Sequence, residues 1–179
     1  MPGKRKFIFY GATSAEGFIA RPDGSVEWLD RPRPKGNYGM GEFYRSVDTV
    51  VMGRKTYDVA VKFGMPDGDP HKKNYVFSRT MKKAASPKVT LVNDDVKAFA
   101  TRLRAENGKH IWLMGGGELV ASFLDCGQVD EFILHVIPKM IGEGIPLVAP
   151  RHRDIELKLL ASKKFPDGVV RLHYAVRHT

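Results

Sequence analysis

The chain has 179 residues, of which 42% are hydrophobic and 27% are charged, with a formal net charge of +9 at pH 7. This length suits one domain with a full core, so we treat residues 1–179 as a single domain. The composition is that of a soluble globular protein, and every apolar run is shorter than the roughly 18 residues of a membrane span, which excludes a membrane partner. The basic N-terminus precedes an apolar run too short for a signal peptide, so we expect a cytoplasmic protein.

The positive charge admits three interpretations: nucleic-acid binding, attraction of a phosphorylated ligand, or solubility. Lysines and arginines are scattered in pairs without a recognition-helix, zinc-finger or basic-heptad pattern, so we expect no nucleic-acid partner. The single cysteine, Cys126, rules out an internal disulfide, and the six histidines show no metal-ligand spacing. We therefore expect no metal site.

Short apolar and β-branched runs recur along the chain and predict strands. They lie at residues 7–10, 48–52, 74–77, 89–92, 110–114, 131–137, 156–160 and 169–176, with helices predicted at 41–46, 94–106 and 118–124. The alternation of strands and helices favours a mainly parallel sheet covered on both faces. Because Pro166-Asp167-Gly168 between the last two runs is typical of a hairpin, we expect a mixed sheet with an antiparallel C-terminal edge.

Two long loops, residues 31–39 and 64–73, are rich in proline, glycine and aspartate. Loops of this length without secondary structure of their own are more often functional than connective. We expect them to form walls of a substrate site.

Glycine follows two of the predicted strands. Gly115, Gly116 and Gly117 separate the run at 110–114 from the helix-like stretch at 118–124, and Gly53 follows the run at 48–52 and precedes a second helix-like stretch. A turn without side chains lets backbone N–H groups approach a phosphate, and a helix N-terminus adds unsatisfied donors. Each turn alone is equally consistent with close packing of a helix against the sheet.

A third strand exit carries Ser78-Arg79-Thr80, in which two hydroxyls flank a guanidinium. This group suits a phosphate monoester such as the 2′-phosphate of NADP, although a solvated turn with a capping serine explains the segment equally simply. Open α/β sheets bind ligands at strand exits, and three such exits together predict a site for a phosphorylated cofactor.

These three segments resemble the NADPH-binding segments of the dihydrofolate reductase superfamily, in the same order along the chain. Within that superfamily the chain most resembles the reductase domain of riboflavin biosynthesis, the RibD C-terminal domain, over about residues 7–147. The resemblance is carried by residues 14–20, 23–29, 52–58, 77–80, 114–119, 129–131 and 137–147. It implies a three-layer α/β/α dihydrofolate-reductase-like fold, with a mixed, mostly parallel central sheet of about eight strands.

The resemblance also implies that NADPH is the cofactor and assigns residues to it. The pyrophosphate region would be held by Gly53, Arg54, Lys55 and Thr56, and the 2′-phosphate by Ser78 and Arg79. The diphosphate and nicotinamide ribose would contact Gly115, Gly116, Gly117, Glu118 and Leu119. The nicotinamide would face Ala12, Gly17 and Ile19. Trp28, Phe43 and Tyr57 are candidate substrate-facing residues, and each is also explained as a core aromatic. The proton donor is left open between Glu42, Asp67 and bound water.

The implied activity is that of an NADPH-dependent reductase acting on a small molecule, resembling 5-amino-6-(5-phosphoribosylamino)uracil reductase of riboflavin biosynthesis. Reduction of a dihydrofolate, a pterin or another small molecule is an alternative, although folate reductases place a carboxylate on the first helix, where this chain offers only Glu42. A non-catalytic NADPH-binding module is a second alternative. The resemblance, together with alternating apolar residues at 129–137 and 169–176, also predicts a homodimer.

Overall fold

The structure, a computed structural model, describes residues 4–177. In this range the chain forms ten strands: β1 (Phe7–Thr13), β2 (Phe18–Ala20), β3 (Val47–Gly53), β4 (Lys73–Phe77), β5 (Val89–Val92), β6 (His110–Gly115), β7 (Glu131–Val136), β8 (Ile145–Pro146), β9 (Leu157–Lys164) and β10 (Val170–Val176). The α-helices of the same range are α1 (Met40–Ser46), α2 (Arg54–Lys62), α3 (Val96–Ala105) and α4 (Gly117–Asp125). Each predicted strand and helix is present, with shifted ends in most cases.

The main sheet has eight strands in the order β5-β4-β3-β6-β1-β7-β10-β9. Its six strands from β5 to β7 pair in parallel, and β10 runs antiparallel to both β7 and β9. The sheet is therefore mixed and mostly parallel, as the sequence predicts. The C-terminal ends of all six parallel strands lie at one edge, which we call the carboxyl edge.

Helices cover both faces of the sheet because side chains of the strands alternate between two apolar clusters. Phe7 and Phe9 of β1 belong to the cluster that also contains Phe99 of α3 and Phe123 of α4. Ile8 and Tyr10 belong to the cluster that contains Phe43 of α1 and Tyr57 of α2. This arrangement gives the three-layer α/β/α architecture.

The predicted hairpin at Pro166-Asp167-Gly168 joins β9 and β10. The N–H of Phe165 donates to the Val169 carbonyl at 2.9 Å, and Gly168 has a φ of 87°. Strand β9 reaches Lys164, beyond the predicted end at residue 160, because it pairs with β10 along its whole length. All eight residues of β9 are exposed, as expected for a strand at the edge of the sheet.

The sequence does not predict β2 and β8, which form a separate two-stranded antiparallel sheet. They contain three and two residues, too few to show the alternating pattern of a strand. Phe18 lies opposite Pro146, and Ala20 lies opposite Ile145. This small sheet ties the segment after β1 to the segment after β7, and both run along the carboxyl edge.

Candidate active site

The two glycine turns meet at the carboxyl edge. Strands β3 and β6 are neighbours, with Met52 opposite Gly115. A Cβ atom built on Gly53 would lie 3.8 Å from both the Gly115 carbonyl oxygen and the Gly116 nitrogen. The fold therefore brings the starts of α2 and α4 together, although β4, β5, α3 and β6 lie between the two helices in the sequence.

Neither of these helices has a side-chain cap. The N-cap residues are Gly53 for α2 and Gly116 for α4, and no side chain hydrogen-bonds to either helix start. The first N–H groups of a helix have no partner within the helix, and its N-terminus carries a partial positive charge. Two such ends side by side are suited to an anion such as a diphosphate.

The three consecutive glycines have different roles. Gly115 has a φ of 112°, which a residue with a side chain rarely adopts, and the peptide bond between Gly115 and Gly116 is cis. A Cβ atom on Gly117 would overlap the Pro146 carbonyl oxygen, so close packing explains this glycine. A Cβ atom on Gly116 would make only ordinary contacts, 3.6 Å from Thr56 Oγ1 and 3.9 Å from Ile19 Cδ1. Gly116 is thus the position where an added side chain would occupy open space in the turn.

The Ser78-Arg79-Thr80 segment follows β4, the neighbour of β3, and lies beside the start of α2. Arg54 Nη1 donates to Thr80 Oγ1 at 2.9 Å. Ser78 Oγ accepts the Met81 N–H at 2.9 Å, so the serine orders its own turn. Arg79 is exposed and forms no hydrogen bond or ion pair with any residue in the described range 4–177. Its guanidinium is available to an anionic ligand.

The remaining residues assigned to the cofactor surround the same turn in different ways. Lys55 is exposed, Glu118 binds Arg151 with an Nη2 to Oε2 distance of 2.9 Å, and the Leu119 side chain is buried in the core. The Leu119 N–H also donates to the Gly116 carbonyl at 3.0 Å, so this residue shapes the turn from within the core. Ile19 of β2 lies beside Gly116, and Gly17 lies in the turn just before β2.

A cavity of about 180 Å³ lies between the sheet and the start of α1. Strand β6 contributes Trp112 to this cavity and Gly115 to the triple-glycine turn, so the two features share a strand. The lining residues are Tyr10, Gly11, Ala12, Leu29, Arg31, Arg33, Asn37, Tyr38, Met40, Trp112, His135 and Ile137. The loop at 31–39 is a wall, as predicted, whereas the loop at 64–73 contributes no lining residue.

The wall from this loop has an unusual backbone. Asn37 and Tyr38 have φ values of 44° and 58°, between Gly36 and Gly39, whose φ values are 83° and 88°. Left-handed backbone is unfavourable for residues with a side chain and persists where contacts hold it. The Tyr38 hydroxyl donates to Asp167 Oδ2 at 2.5 Å, and Arg171 Nη1 donates to the Tyr38 carbonyl at 3.4 Å. These contacts tie the wall to the C-terminal hairpin.

His135 forms the opposite wall and is buried. Its Nδ1 lies 3.4 Å from the Gly11 carbonyl oxygen and its Nε2 lies 3.4 Å from the Tyr38 carbonyl oxygen. Burial lowers the pKa of His135, and nearby Arg171 lowers it further. Burial also raises the pKa of Tyr10 to about 12. Both side chains are therefore neutral near pH 7, and neutral His135 donates to only one of the two carbonyls.

The three candidate substrate-facing aromatics lie in the core and outside the cavity lining. Trp28 packs with Phe165, and Tyr57 donates its hydroxyl to the Pro66 carbonyl at 2.6 Å. Phe43 lies behind the cavity, stacked on Tyr10 with ring centroids 4.2 Å apart. A role as a core aromatic accounts for all three side chains, and Phe43 also supports Tyr10 in the cavity lining.

Glu42 and Asp67, the candidate proton donors, also lie outside the cavity lining. Glu42 is exposed on α1, and Asp67 pairs with Lys88 Nζ at 2.6 Å. The hydrogen bond from Lys88 lowers the pKa of Asp67, which keeps this carboxyl ionised. No aspartate or glutamate belongs to the cavity lining in the described part of the chain.

Sequence reasoning did not assign Tyr10, Trp112 and His135 to the site. They lie inside strands, where an apolar or aromatic residue is usually part of the core. Arg31 and Arg33 are missed as individual residues, although their loop is identified. Tyr10, Trp112 and His135 come together because β6, β1 and β7 are neighbours in the sheet, and strand order is not visible in the local sequence.

Residues 4–177 contain no group of three or more histidine, cysteine, aspartate or glutamate side chains that could hold a metal ion. Every helix in this range is too short or too polar to span a bilayer.

The family model for the RibD C-terminal domain matches residues 5–171. The chain belongs to the RibD C-terminal domain family. It is 41% identical over 172 residues to YwjB of Bacillus subtilis strain 168, a match that covers 96% of this chain and 98% of YwjB. It is 32% identical over 182 residues to YyaP of the same organism, a match that covers 96% of this chain and 95% of YyaP. Both relatives are described as uncharacterized.

Solved structures confirm the fold expected from the resemblance. A putative riboflavin biosynthesis protein from Shewanella sp. PV-4 superposes with a TM-score of 0.85 at 27% identity, covering 97% of this chain and 99% of that one. The Thermotoga maritima diaminohydroxyphosphoribosylaminopyrimidine deaminase/5-amino-6-(5-phosphoribosylamino)uracil reductase superposes with a TM-score of 0.71 at 15% identity, covering 97% of this chain and 57% of that one. At this lower identity the likeness shows the fold only.

Proposed function

We propose that this protein is an NADPH-dependent reductase of the pyrimidine-reductase type found in riboflavin biosynthesis. One observation carries the proposal: two uncapped helix starts, each at a glycine turn, meet beside an aromatic cavity at the carboxyl edge. Membership in the RibD C-terminal domain family supports the same activity.

The residues present fit NADPH. Backbone N–H groups of residues 53–56 and 116–118 would hold the diphosphate, and Arg79 with the Ser78 hydroxyl would hold the 2′-phosphate. When bound, NADPH supplies a hydride to an electrophilic carbon. The protein itself positions the substrate on Tyr10 and Trp112 and excludes water with the wall formed by residues 31–39.

The cavity favours a substrate with a planar ring and an anionic group. Tyr10 and Trp112 form an aromatic surface, and Arg31 and Arg33 also line the cavity. A phosphorylated aminopyrimidine ribosylamine has both features. The folate alternative requires a carboxylate near the pterin, and Glu42 lies outside the lining. Proton transfer then falls to bound water, since Glu42 and Asp67 lie outside the lining and buried His135 is neutral near pH 7.

The test is a pair of measurements on the purified protein. Fluorescence titration with NADPH measures cofactor binding, and loss of NADPH absorbance measures turnover with the aminopyrimidine ribosylamine phosphate or with dihydrofolate. Turnover with the pyrimidine supports the proposal. Turnover with dihydrofolate alone identifies a folate reductase, and binding without turnover identifies a cofactor-binding module. Absence of NADPH binding overturns the proposal.

We also propose that the protein works as a cytoplasmic homodimer. Strand β9 is an open edge with Leu157, Leu159 and Leu160 all exposed, and open edges favour association with a second chain. Light scattering provides the measurement. A mass near 20.1 kDa would reject the dimer, and a mass near twice that value would support it.

A further inference from the structure

Glu16 joins two segments that flank the cofactor site. Its Oε2 accepts the Ile141 N–H at 2.6 Å, and its Oε1 accepts the Gly142 N–H at 3.1 Å. Beside these bonds the Ala15 N–H donates to the Lys139 carbonyl at 2.9 Å. One carboxylate thus holds two successive amides of the loop that follows β7.

The turn that carries Glu16 leads directly into the residues beside Gly116. Ser14 Oγ accepts the Glu16 N–H at 3.3 Å and the Phe18 N–H at 3.2 Å, which makes this turn compact. Ile19 Cδ1 lies 3.9 Å from the position of a Cβ atom on Gly116. A shift of the turn would therefore move Ile19 relative to the triple-glycine turn.

The loop that Glu16 holds reaches the start of α4 at its other end. The Leu147 N–H donates to the Gly17 carbonyl at 3.0 Å, and the Ala149 N–H donates to the Gly117 carbonyl at 3.1 Å. The part nearest Glu16 is open to solvent, with Met140 exposed at 75%. In this part of the loop, the carboxylate of Glu16 supplies side-chain hydrogen bonds to the backbone, while the Ile141 side chain packs against the Trp28 cluster.

We propose that Glu16 is a positioning residue that holds Ile19 and the loop at 139–149 around the nicotinamide end of the cofactor. The inference rests on the proposed function, because it concerns the same NADPH site. Glu16 makes no hydrogen bond to Ser78 or Arg79, which lie at the exit of β4. We therefore expect its effect to be larger at the end of the cofactor beside Ile19 than at the adenosine 2′-phosphate.

The experiment compares two ligands in three variants. NADPH contains the nicotinamide, and 2′-phospho-ADP-ribose lacks it but keeps the adenosine 2′-phosphate and the diphosphate. Glu16→Ala removes both acceptor oxygens, and Glu16→Gln keeps one. Glu143→Gln is the matched control, because Glu143 is an exposed carboxylate of the same loop with no hydrogen bond or ion pair in the described range.

We expect Glu16→Ala to weaken NADPH binding about tenfold and to change binding of 2′-phospho-ADP-ribose less than about twofold, since the lost bonds to the Ile141 and Gly142 N–H groups hold the segment beside Ile19 and not the 2′-phosphate site. Glu16→Gln should give a smaller loss with the same selectivity, and Glu143→Gln should bind both ligands normally. If Glu16→Ala does not fold, Glu16→Gln carries the comparison.

Equal losses for both ligands, or unchanged NADPH binding in both Glu16 variants, would overturn the inference while leaving the proposed function intact. Wild-type protein that binds neither ligand would instead overturn the proposed function, and this inference with it. A thermal melt of each variant accompanies the titrations. A selective loss of NADPH binding at an unchanged melting temperature supports positioning over a general structural role.

Discussion

Helix α3 and the pair α2 and α4 all begin at the carboxyl edge, but their first turns are satisfied differently. Asp95 caps α3, with its carboxylate accepting the Ala98 N–H at 2.9 Å. Helices α2 and α4 begin at Gly53 and Gly116, which offer no side chain. A side-chain cap stabilises the helix itself, whereas a glycine leaves the N–H donors accessible to a ligand. We infer that the capped start of α3 is structural and that the uncapped starts of α2 and α4 are suited to ligand binding.

The largest expected effect is on folding, at Gly117. A Cβ atom there would overlap the Pro146 carbonyl oxygen, so Gly117→Ala should lower the free energy of unfolding by about 3 kcal/mol. Urea denaturation measures this change. Gly116→Ala is the matched control, since its Cβ atom makes only ordinary contacts and should leave stability within about 1 kcal/mol of wild type.

The same control variant tests the binding interpretation of the turn. Gly116→Ala should fold normally and lose NADPH affinity, because the added methyl group occupies the space in which the cofactor is proposed to contact the protein backbone. Normal NADPH binding by this folded variant would show that the three glycines serve packing alone.

The next effect is on cofactor choice. Arg79→Ala should weaken NADPH binding roughly 10- to 100-fold and leave NADH binding nearly unchanged, because one hydrogen-bonded charge pair contributes about 1.5–3 kcal/mol. Fluorescence titration with both cofactors measures the ratio. Lys82→Ala, which removes a nearby exposed cation, should preserve it. Equal losses of NADPH and NADH binding in Arg79→Ala would contradict the assignment of Arg79 to the 2′-phosphate.

A smaller effect is expected at the capped helix. Asp95→Ala removes the cap of α3 and should lower the free energy of unfolding by about 1 kcal/mol. NADPH affinity should not change, because this helix start lies beyond β5 at the end of the sheet. Reduced NADPH binding in a folded Asp95→Ala protein would show that the two kinds of helix start are not separate in function.

The smallest effect concerns pH. Burial lowers the pKa of His135 in the folded protein, so the unfolded chain binds more protons between this lowered pKa and the usual value of about 6.5. The free energy of unfolding should therefore fall as the pH drops through that interval. His135→Gln should reduce the slope of this free energy against pH. Burial also lowers the pKa of His110, so His110→Asn should remove a separate part of the slope. An unchanged slope in His135→Gln, measured by urea denaturation at several pH values, would contradict this prediction.

The local pattern predicted most of the fold. Strand runs such as Val89–Val92 and the hairpin at Pro166-Asp167-Gly168 were identified because alternation and turn chemistry act over a few neighbouring residues. Strands β2 and β8 were missed because they are too short to carry such a pattern and form only through pairing with each other.

Some features of the candidate site could likewise be predicted from local sequence and others could not. The glycine turns and Arg79 are recognisable because each is a short motif at the end of a strand. The aromatics Trp28 and Tyr57 were candidates for the substrate site, yet both are buried in the core, since hydrophobicity does not distinguish a cavity wall from packed interior.

The sequence by itself determined the strand and helix order, the glycine turns at two strand exits and the likeness to the RibD C-terminal domain, because all of these are local patterns. Only the tertiary structure decided that β3 and β6 are neighbours, that Gly117 rather than Gly116 is packed against Pro146, and that Tyr10, Tyr38 and His135 enclose one cavity. These features depend on strand order and on contacts between residues far apart in the chain, which no local pattern encodes.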